Sequence, residues 1–216
     1  MKIGICGGTF DPFHRGHLDP VLAAREELQW DRVLYVPAWR QPFKTHLDAA
    51  PGAHRFAMTA LAIRDHDLLY VSPIELDRGG VSYSVDTLEE LHCLYPGASF
   101  DWIIGDDNLA DLDRWKDTER LFQLARFVVL TRRRVGGGEW GVEELSASSG
   151  SSTPTPHPPL PTPNNANIVF AHNTTVRVSS TEIRNRVRAG QSIDAFVDPL
   201  VSRYIHHYGL YKEGQL

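Results

Sequence analysis

The chain has 216 residues, 42% of them hydrophobic, and a net charge of −5. That length suits one domain with a well-buried core, and the acidic balance gives no global pull toward nucleic acid or an anionic membrane surface. No apolar stretch approaches the roughly 20 residues of a membrane span. The strand-like start at residue 2 is expected to leave no room for a signal peptide, and the two distant cysteines, Cys6 and Cys93, read as reduced thiols of a cytoplasmic protein.

In chain order, strand-like runs are expected at Lys2–Cys6, Arg32–Pro37, Leu68–Ser72, Phe100–Ile104, Phe127–Thr131 and Asn167–Ala171. Helical patterns are expected at His17–Leu28, Gly52–Asp65, Val85–Tyr95, Thr118–Ala125, Thr181–Ala189 and Pro199–Tyr208. Several strand runs are continuously apolar, as parallel strands buried on both faces must be. The alternation predicts an α/β fold: a Rossmann-like, doubly wound, mainly parallel sheet flanked by helices, with a C-terminal helical segment. Pro51 and Pro199 suit first turns, Asp198 an N-cap, Gly190 and Gly209 left-handed C-caps, and Ser179-x-x-Glu182 a capping box. Residues 1–216 read as a single domain. Within it, 135–167 opens on three glycines and ends in a proline-rich run, and is expected to be a low-complexity, flexible insertion.

The segment after the first strand carries the chemistry. It reads Gly7-Gly8-Thr9-Phe10-Asp11-Pro12-Phe13-His14-Arg15-Gly16-His17-Leu18. Glycines let a backbone approach a ligand closely, and the start of the next helix offers unpaired N–H groups and a positive dipole end. His14 and His17 stand three apart, so they face the same way on a helix. This arrangement suits a polyanion such as a nucleoside triphosphate. The run is not a Walker loop, because no Gly-Lys-Ser/Thr follows, and it lacks the G-x-G-x-x-G spacing of dinucleotide folds. A zinc site on the two histidines would need a third ligand, and no second His/Cys cluster is apparent. Near the other end, Val178-Ser179-Ser180-Thr181-Glu182-Ile183-Arg184 gathers hydroxyls and an arginine at another helix start, chemistry that again suits phosphates.

The first segment resembles the signature of the H-x-G-H nucleotidyltransferase superfamily, in the form most like the bacterial nicotinate mononucleotide adenylyltransferases. Residues 178–184 resemble that family's late Ser-Ser-Thr-x-Ile-Arg signature. The resemblance implies an enzyme of NAD biosynthesis that joins ATP and nicotinate mononucleotide into deamido-NAD and pyrophosphate. The mononucleotide phosphate would attack the ATP α-phosphorus in line, without a covalent enzyme intermediate. It implies His14, His17 and Arg184 as catalytic residues, with activity falling at high pH as the imidazoles lose protons. ATP would be held by Gly8, Thr9, Phe10, His14, His17, Ser180, Thr181 and Arg184. Gly105-Asp106-Asp107-Asn108-Leu109 resembles a family segment beside the adenosine, with Asp107 favoured as the matching aspartate and a helix N-cap as the plainer reading.

Val81-Ser82-Tyr83-Ser84-Val85-Asp86-Thr87-Leu88 resembles the family stretch beside the pyridine, departing from it at Ser84, where threonine is more usual. Thr87 and the local backbone would serve the pyridine carboxylate, and Ser84 is also expected to cap the following helix. The resemblance further assigns Trp115 to stacking on the nicotinate ring, and Lys44 with one of Arg132, Arg133 and Arg134 to the mononucleotide phosphate. Around Lys44, glutamine and phenylalanine replace the family's first proline and its histidine. Mg²⁺ would arrive with ATP, without a dedicated metal site. Two rival readings are the phosphopantetheine adenylyltransferases, whose late motif differs, and a nucleotide-binding module without turnover. Partners are expected to be ATP and nicotinate mononucleotide, with no nucleic acid or membrane; oligomeric state is not legible.

Overall fold

The computed structural model describes residues 1–43, 49–109, 111–130, 167–171, 173 and 178–212. Lys44, Arg132, Arg133, Arg134 and the predicted insertion, apart from Asn167, lie outside the described residues. Among the described residues there are six strands: β1 Lys2–Gly8, β2 Arg32–Pro37, β3 Leu69–Val71, β4 Ser99–Gly105, β5 Arg126–Leu130 and β6 Ile168–Ala171. The helices are α1 Arg15–Leu28, α2 Gly52–Ile63, α3 Ile74–Arg78, α4 Ser84–Leu94, α5 Asp106–Leu109, α6 Thr118–Leu124, α7 Ser180–Arg188 and α8 Pro199–His207, with a 3₁₀ turn at Leu112–Arg114. All five strand pairings are parallel, in the order β3-β2-β1-β4-β5-β6.

The strands alternate between two cores. On β5, Phe127 and Val129 face one core while Val128 and Leu130 face the other; on β2, Leu34 and Val36 oppose Val33 and Tyr35. One core is completed by α1, α2, α7 and α8, through residues such as Val21, Met58, Ile183 and Val201, and the other by α4 and α6, through Leu88 and Leu121. Both sheet faces are therefore buried, which is why the strands read as unbroken apolar runs. The amino end of the sheet is closed by a buried charge group. Asp101, 3% exposed, accepts from Trp30 Nε1 at 2.6 Å and from Arg126 at 2.9 and 2.6 Å.

Most expected signals hold. Asp198 caps α8 ahead of Pro199, Ser179 Oγ accepts from the Glu182 N–H, and Gly190 and Gly209 take positive φ. Three differ. Ser84 is the first helical residue of α4 and not its cap, Pro51 sits one position before α2, and the short α3 and α5 fall in stretches read as connections.

The carboxyl ends of the strands create an opening. The β1–β4 ladder stops at Cys6 and Ile103, whereas β1–β2 runs on to Gly8 and Pro37, and β4–β5 runs on to Gly105 and Leu130. From Gly7 onward, β1 and β4 thus part, each staying with its outer neighbour. This is the point where chain progression reverses direction, where open α/β sheets bind ligands.

Candidate active site

The loop leaving β1 is held from below so that its donors face the crevice. The Gly8 carbonyl accepts from the Ala38 N–H on the β2 side at 2.8 Å. Across a trans peptide the next N–H points the opposite way, so the Thr9 N–H turns toward the gap between β1 and β4. The Thr9 carbonyl in turn accepts from Arg55 Nη1 at 2.8 Å, which sends the Phe10 N–H away from Arg55. Arg55, on α2 and 2% exposed, also donates to the Ala50 carbonyl at 2.8 Å. Burial pulls its guanidinium below its usual value, opposed by the neighbouring Asp11.

Phe10 adopts φ 52° and sends its ring inward, 3% exposed, against Phe13, His17 and Tyr35. Only its backbone can meet a ligand, which narrows the expected contact. A Cβ on Gly8 would stand 2.8 Å from that ring, so the glycine is required by the inward-turned phenylalanine.

The two histidines form one unit. His14 is the residue before α1, with extended backbone, and its N–H donates to His17 Nδ1 at 3.3 Å. Their rings stack, with centroids 3.7 Å apart and planes 21° apart. With Nδ1 accepting, neutral His17 carries its proton on Nε2. Below them, Tyr35 donates to the His17 carbonyl at 3.1 Å, and burial pushes its phenol well above its ordinary value, so it stays a donor. A Cβ at Gly16 would lie 3.0 Å from the His14 ring and 3.2 Å from Val178 Cγ1, which accounts for the glycine between the histidines.

The start of α7 docks directly on this loop. Ser180 Oγ donates to the Pro12 carbonyl at 3.1 Å, and Arg184 Nη1 donates to the Asp11 carbonyl at 2.7 Å, with Nη2 on Thr181 Oγ1 at 3.2 Å. The two phosphate-like motifs of the sequence are therefore one surface. Asp11, 4% exposed, is its hub. It lies 3.7 Å from Arg184 through Oδ2, and its Oδ1 accepts from Tyr211 Oη at 2.6 Å and from the Ala50 N–H at 3.3 Å. Burial, reinforced by Asp11, raises the Tyr211 phenol far above its ordinary value, so the tyrosine remains the donor. Arg55 and Arg184 flank this single carboxylate, leaving a positive surplus beneath the loop that favours bound phosphate.

Across the crevice, Gly105 ends β4, and Asp106 and Asp107 form the first turn of α5, with Asp107 exposed. Trp115 is half-buried, edge-on to Phe127 at 6.2 Å. Its neighbours tie the crevice walls together: Arg114 lies 5.3 Å over the Phe43 ring, and Lys116 lies 4.6 Å over Tyr83 and 2.8 Å from Asp86. Ser84 opens α4, where the first-turn N–H groups lack intrahelical partners.

Thr87 does not reach the crevice surface. It is fully buried, its hydroxyl donating to Glu75 at 2.6 Å and accepting from Arg78 at 2.8 Å. The expected contact from its side chain becomes an internal support. Among the described residues, no three His, Cys, Asp or Glu side chains converge as a metal cage.

Sequence reading missed Arg55, Tyr211 and Glu75 as parts of this region. No local signal marks them, because their partners lie far along the chain.

Comparison with known proteins bears on the same region. The cytidylyltransferase-like family matches residues 5–186. A protein of Gemmatimonas aurantiaca is 38% identical over 214 residues, 99% of this chain and 93% of its own. One of Thermus thermophilus is 39% identical over 212 residues, 98% and 100% respectively. Both carry the name "probable nicotinate-nucleotide adenylyltransferase". Two solved structures of the Plasmodium falciparum nicotinic acid mononucleotide adenylyltransferase share the fold at 19% identity. The one complexed with NaAD has a TM-score of 0.68 and covers 97% of both chains. The one complexed with APC has a TM-score of 0.66 and covers 97% of this chain and 96% of its own.

Proposed function

The chain belongs to the cytidylyltransferase-like family and, within it, to the nicotinate-nucleotide adenylyltransferases, and on that premise we propose how its own residues carry out the reaction. The 5′-phosphate of nicotinate mononucleotide attacks the α-phosphorus of ATP in line. A new phosphorus–oxygen bond forms there, the bond from the α-phosphorus to its β-bridging oxygen breaks, and pyrophosphate leaves. The attacking group is already an anion, so no protein nucleophile or covalent intermediate is needed. Catalysis is positioning plus stabilisation of charge moving onto pyrophosphate.

The observation that carries this reading is the docking of Ser180 and Arg184 onto the carbonyls of Pro12 and Asp11, which fuses the two motifs at the mouth of β1. The N–H groups of Thr9 and Phe10 receive the reacting phosphates. His14, His17 and Arg184 meet the developing pyrophosphate, with Thr181 at the rim of the same helix start. Asp107 takes the ATP ribose. Ser84 and the start of α4 receive the pyridine carboxylate, and Trp115 lies along the ring. Lys44 and one of Arg132, Arg133 and Arg134, outside the described residues, are assigned to the mononucleotide phosphate. Mg²⁺ held by the triphosphate would neutralise its charge and polarise its oxygens.

H17A tests this. Removing one donor aimed at developing charge is expected to lower kcat about 10²- to 10³-fold, with ATP binding largely retained. Unchanged turnover would remove the role given to the histidine pair.

A further inference from the structure

Glu75 is the least expected buried group outside the phosphate loop. It sits on the five-residue α3 and is 4% exposed. Thr87 donates to its Oε1 at 2.6 Å, and the Ser82 hydroxyl is a polar neighbour of the same carboxyl. Each hydroxyl is also an acceptor for a fixed donor: Arg78 Nη2 reaches Thr87 Oγ1 at 2.8 Å, and the Trp39 N–H reaches Ser82 Oγ at 2.9 Å. A hydroxyl has one hydrogen, and the short contact of Thr87 is to Glu75, with the Tyr83 carbonyl farther off at 3.3 Å. An acceptor without hydrogens of its own suits that contact best, because Arg78 already donates to the same hydroxyl. Ser82 is further locked by its N–H, which donates to the Arg40 carbonyl at 2.9 Å. The Glu75 carboxylate thus braces α4 through Thr87, while Ser82 ties the chain ahead of α4 to the chain leaving β2.

We propose that Glu75 is a positioning residue that sets the preference for the acid over the amide form of the mononucleotide, by fixing the backbone N–H directions at the start of α4. The proposal rests on the reading that this helix start receives the pyridine carboxylate. A carboxylate accepts from such N–H groups with both oxygens, whereas a carboxamide turns its own N–H₂ against them. Discrimination depends on the donors being held, not merely present. The Gly79 and Gly80 backbones, at φ 68° and 75°, let the chain turn from α3 back to Ser82, so the carboxyl lies under the loop it supports. Burial raises the Glu75 carboxyl above its ordinary range despite the two hydroxyls and Arg78, a cost that the buried position imposes.

The test compares wild type, E75Q and T87V with nicotinate and nicotinamide mononucleotides. Glutamine keeps the shape of Glu75 but places an N–H₂ donor among hydroxyls that already hold donors. Valine keeps the shape of Thr87 without its hydroxyl, and it serves if E75Q does not fold. Expected are about a tenfold rise in KM for nicotinate mononucleotide and about a tenfold fall in the acid/amide ratio of kcat/KM, the effect of losing roughly one hydrogen bond to a charged group. The KM for MgATP stays within about twofold. A purely structural role would lower thermal stability and leave both KM values and the ratio in place, which would overturn the assignment of Glu75. A wild type with no preference for the acid would instead remove the reading of the site, and the proposal with it.

Discussion

Asp11 joins three distant parts of the chain. Its carboxylate holds Tyr211 from the C-terminal segment and the Ala50 N–H ahead of α2, and its carbonyl holds Arg184. Y211F deletes one donor to a buried carboxylate and leaves Oδ1, among the described residues, with the Ala50 N–H at 3.3 Å. The expected cost is about 1–3 kcal/mol, read as a lower Tm. Because Asp11 also steadies Arg184, KM for ATP is expected to rise severalfold while KM for the mononucleotide holds. Equal effects on both substrates would contradict this division. Neither Tyr211 nor Arg55 was legible as a site residue. An arginine on an amphipathic helix reads as a solvated charge, and only the folded chain shows that Arg55 ends on the carbonyls of Thr9 and Ala50. His14, His17 and Arg184 were legible because glycines and helix starts surround them in sequence.

At the scale of elements, the start of α1 sets two effects against each other at Gly16. Alanine there favours the helix by about 1 kcal/mol, yet its Cβ would press on the His14 ring at 3.0 Å. G16A is therefore expected to keep its thermal stability within a few degrees and lose about tenfold or more in kcat, since a displaced imidazole costs positioning. Retained turnover would show that the stacked geometry of the pair is not needed. For α7, S179A removes the hydroxyl that accepts from the Glu182 N–H. A loss of about 1 kcal/mol in stability is expected from denaturant unfolding, with a further loss in ATP affinity because Ser180 opens that helix and Arg184 lies one turn along it.

Helices with long apolar periods were read within one or two residues of their ends. The short α3 was not, because Pro73 before it and Gly79-Gly80 after it carry the signals of a connection. Its role comes from burying one carboxyl, which periodicity does not record.

Over the whole molecule, the alternation of apolar runs and helical patterns was sufficient for the parallel sheet and its two cores. That the site lies past the carboxyl end of β1 was readable from Gly7 and Gly8 after the first apolar run; the gap between the strands was not. It arises because β1 leaves β4 at Cys6 but stays with β2 to Gly8, a matter of register between distant strands. Buried charge also couples the fold to pH. The raised pKa of Glu75 means that its contribution to stability is present below the ordinary glutamate range, near about 4.3, and is lost as pH rises through its folded value. E75Q removes that loss. The Tm of E75Q relative to wild type is expected to be higher at about pH 7 than at about pH 4; a pH-independent difference would contradict the burial cost.

The most direct test of the whole account is pyrophosphate release from MgATP with three acceptors: nicotinate mononucleotide, nicotinamide mononucleotide and phosphopantetheine. Turnover is expected with the first, at a kcat/KM well above that with the second, and none with the third. Release with phosphopantetheine alone would keep the phosphate loop and contradict the pyridine site at α4 and Trp115. Silence with all three would contradict the proposed chemistry itself.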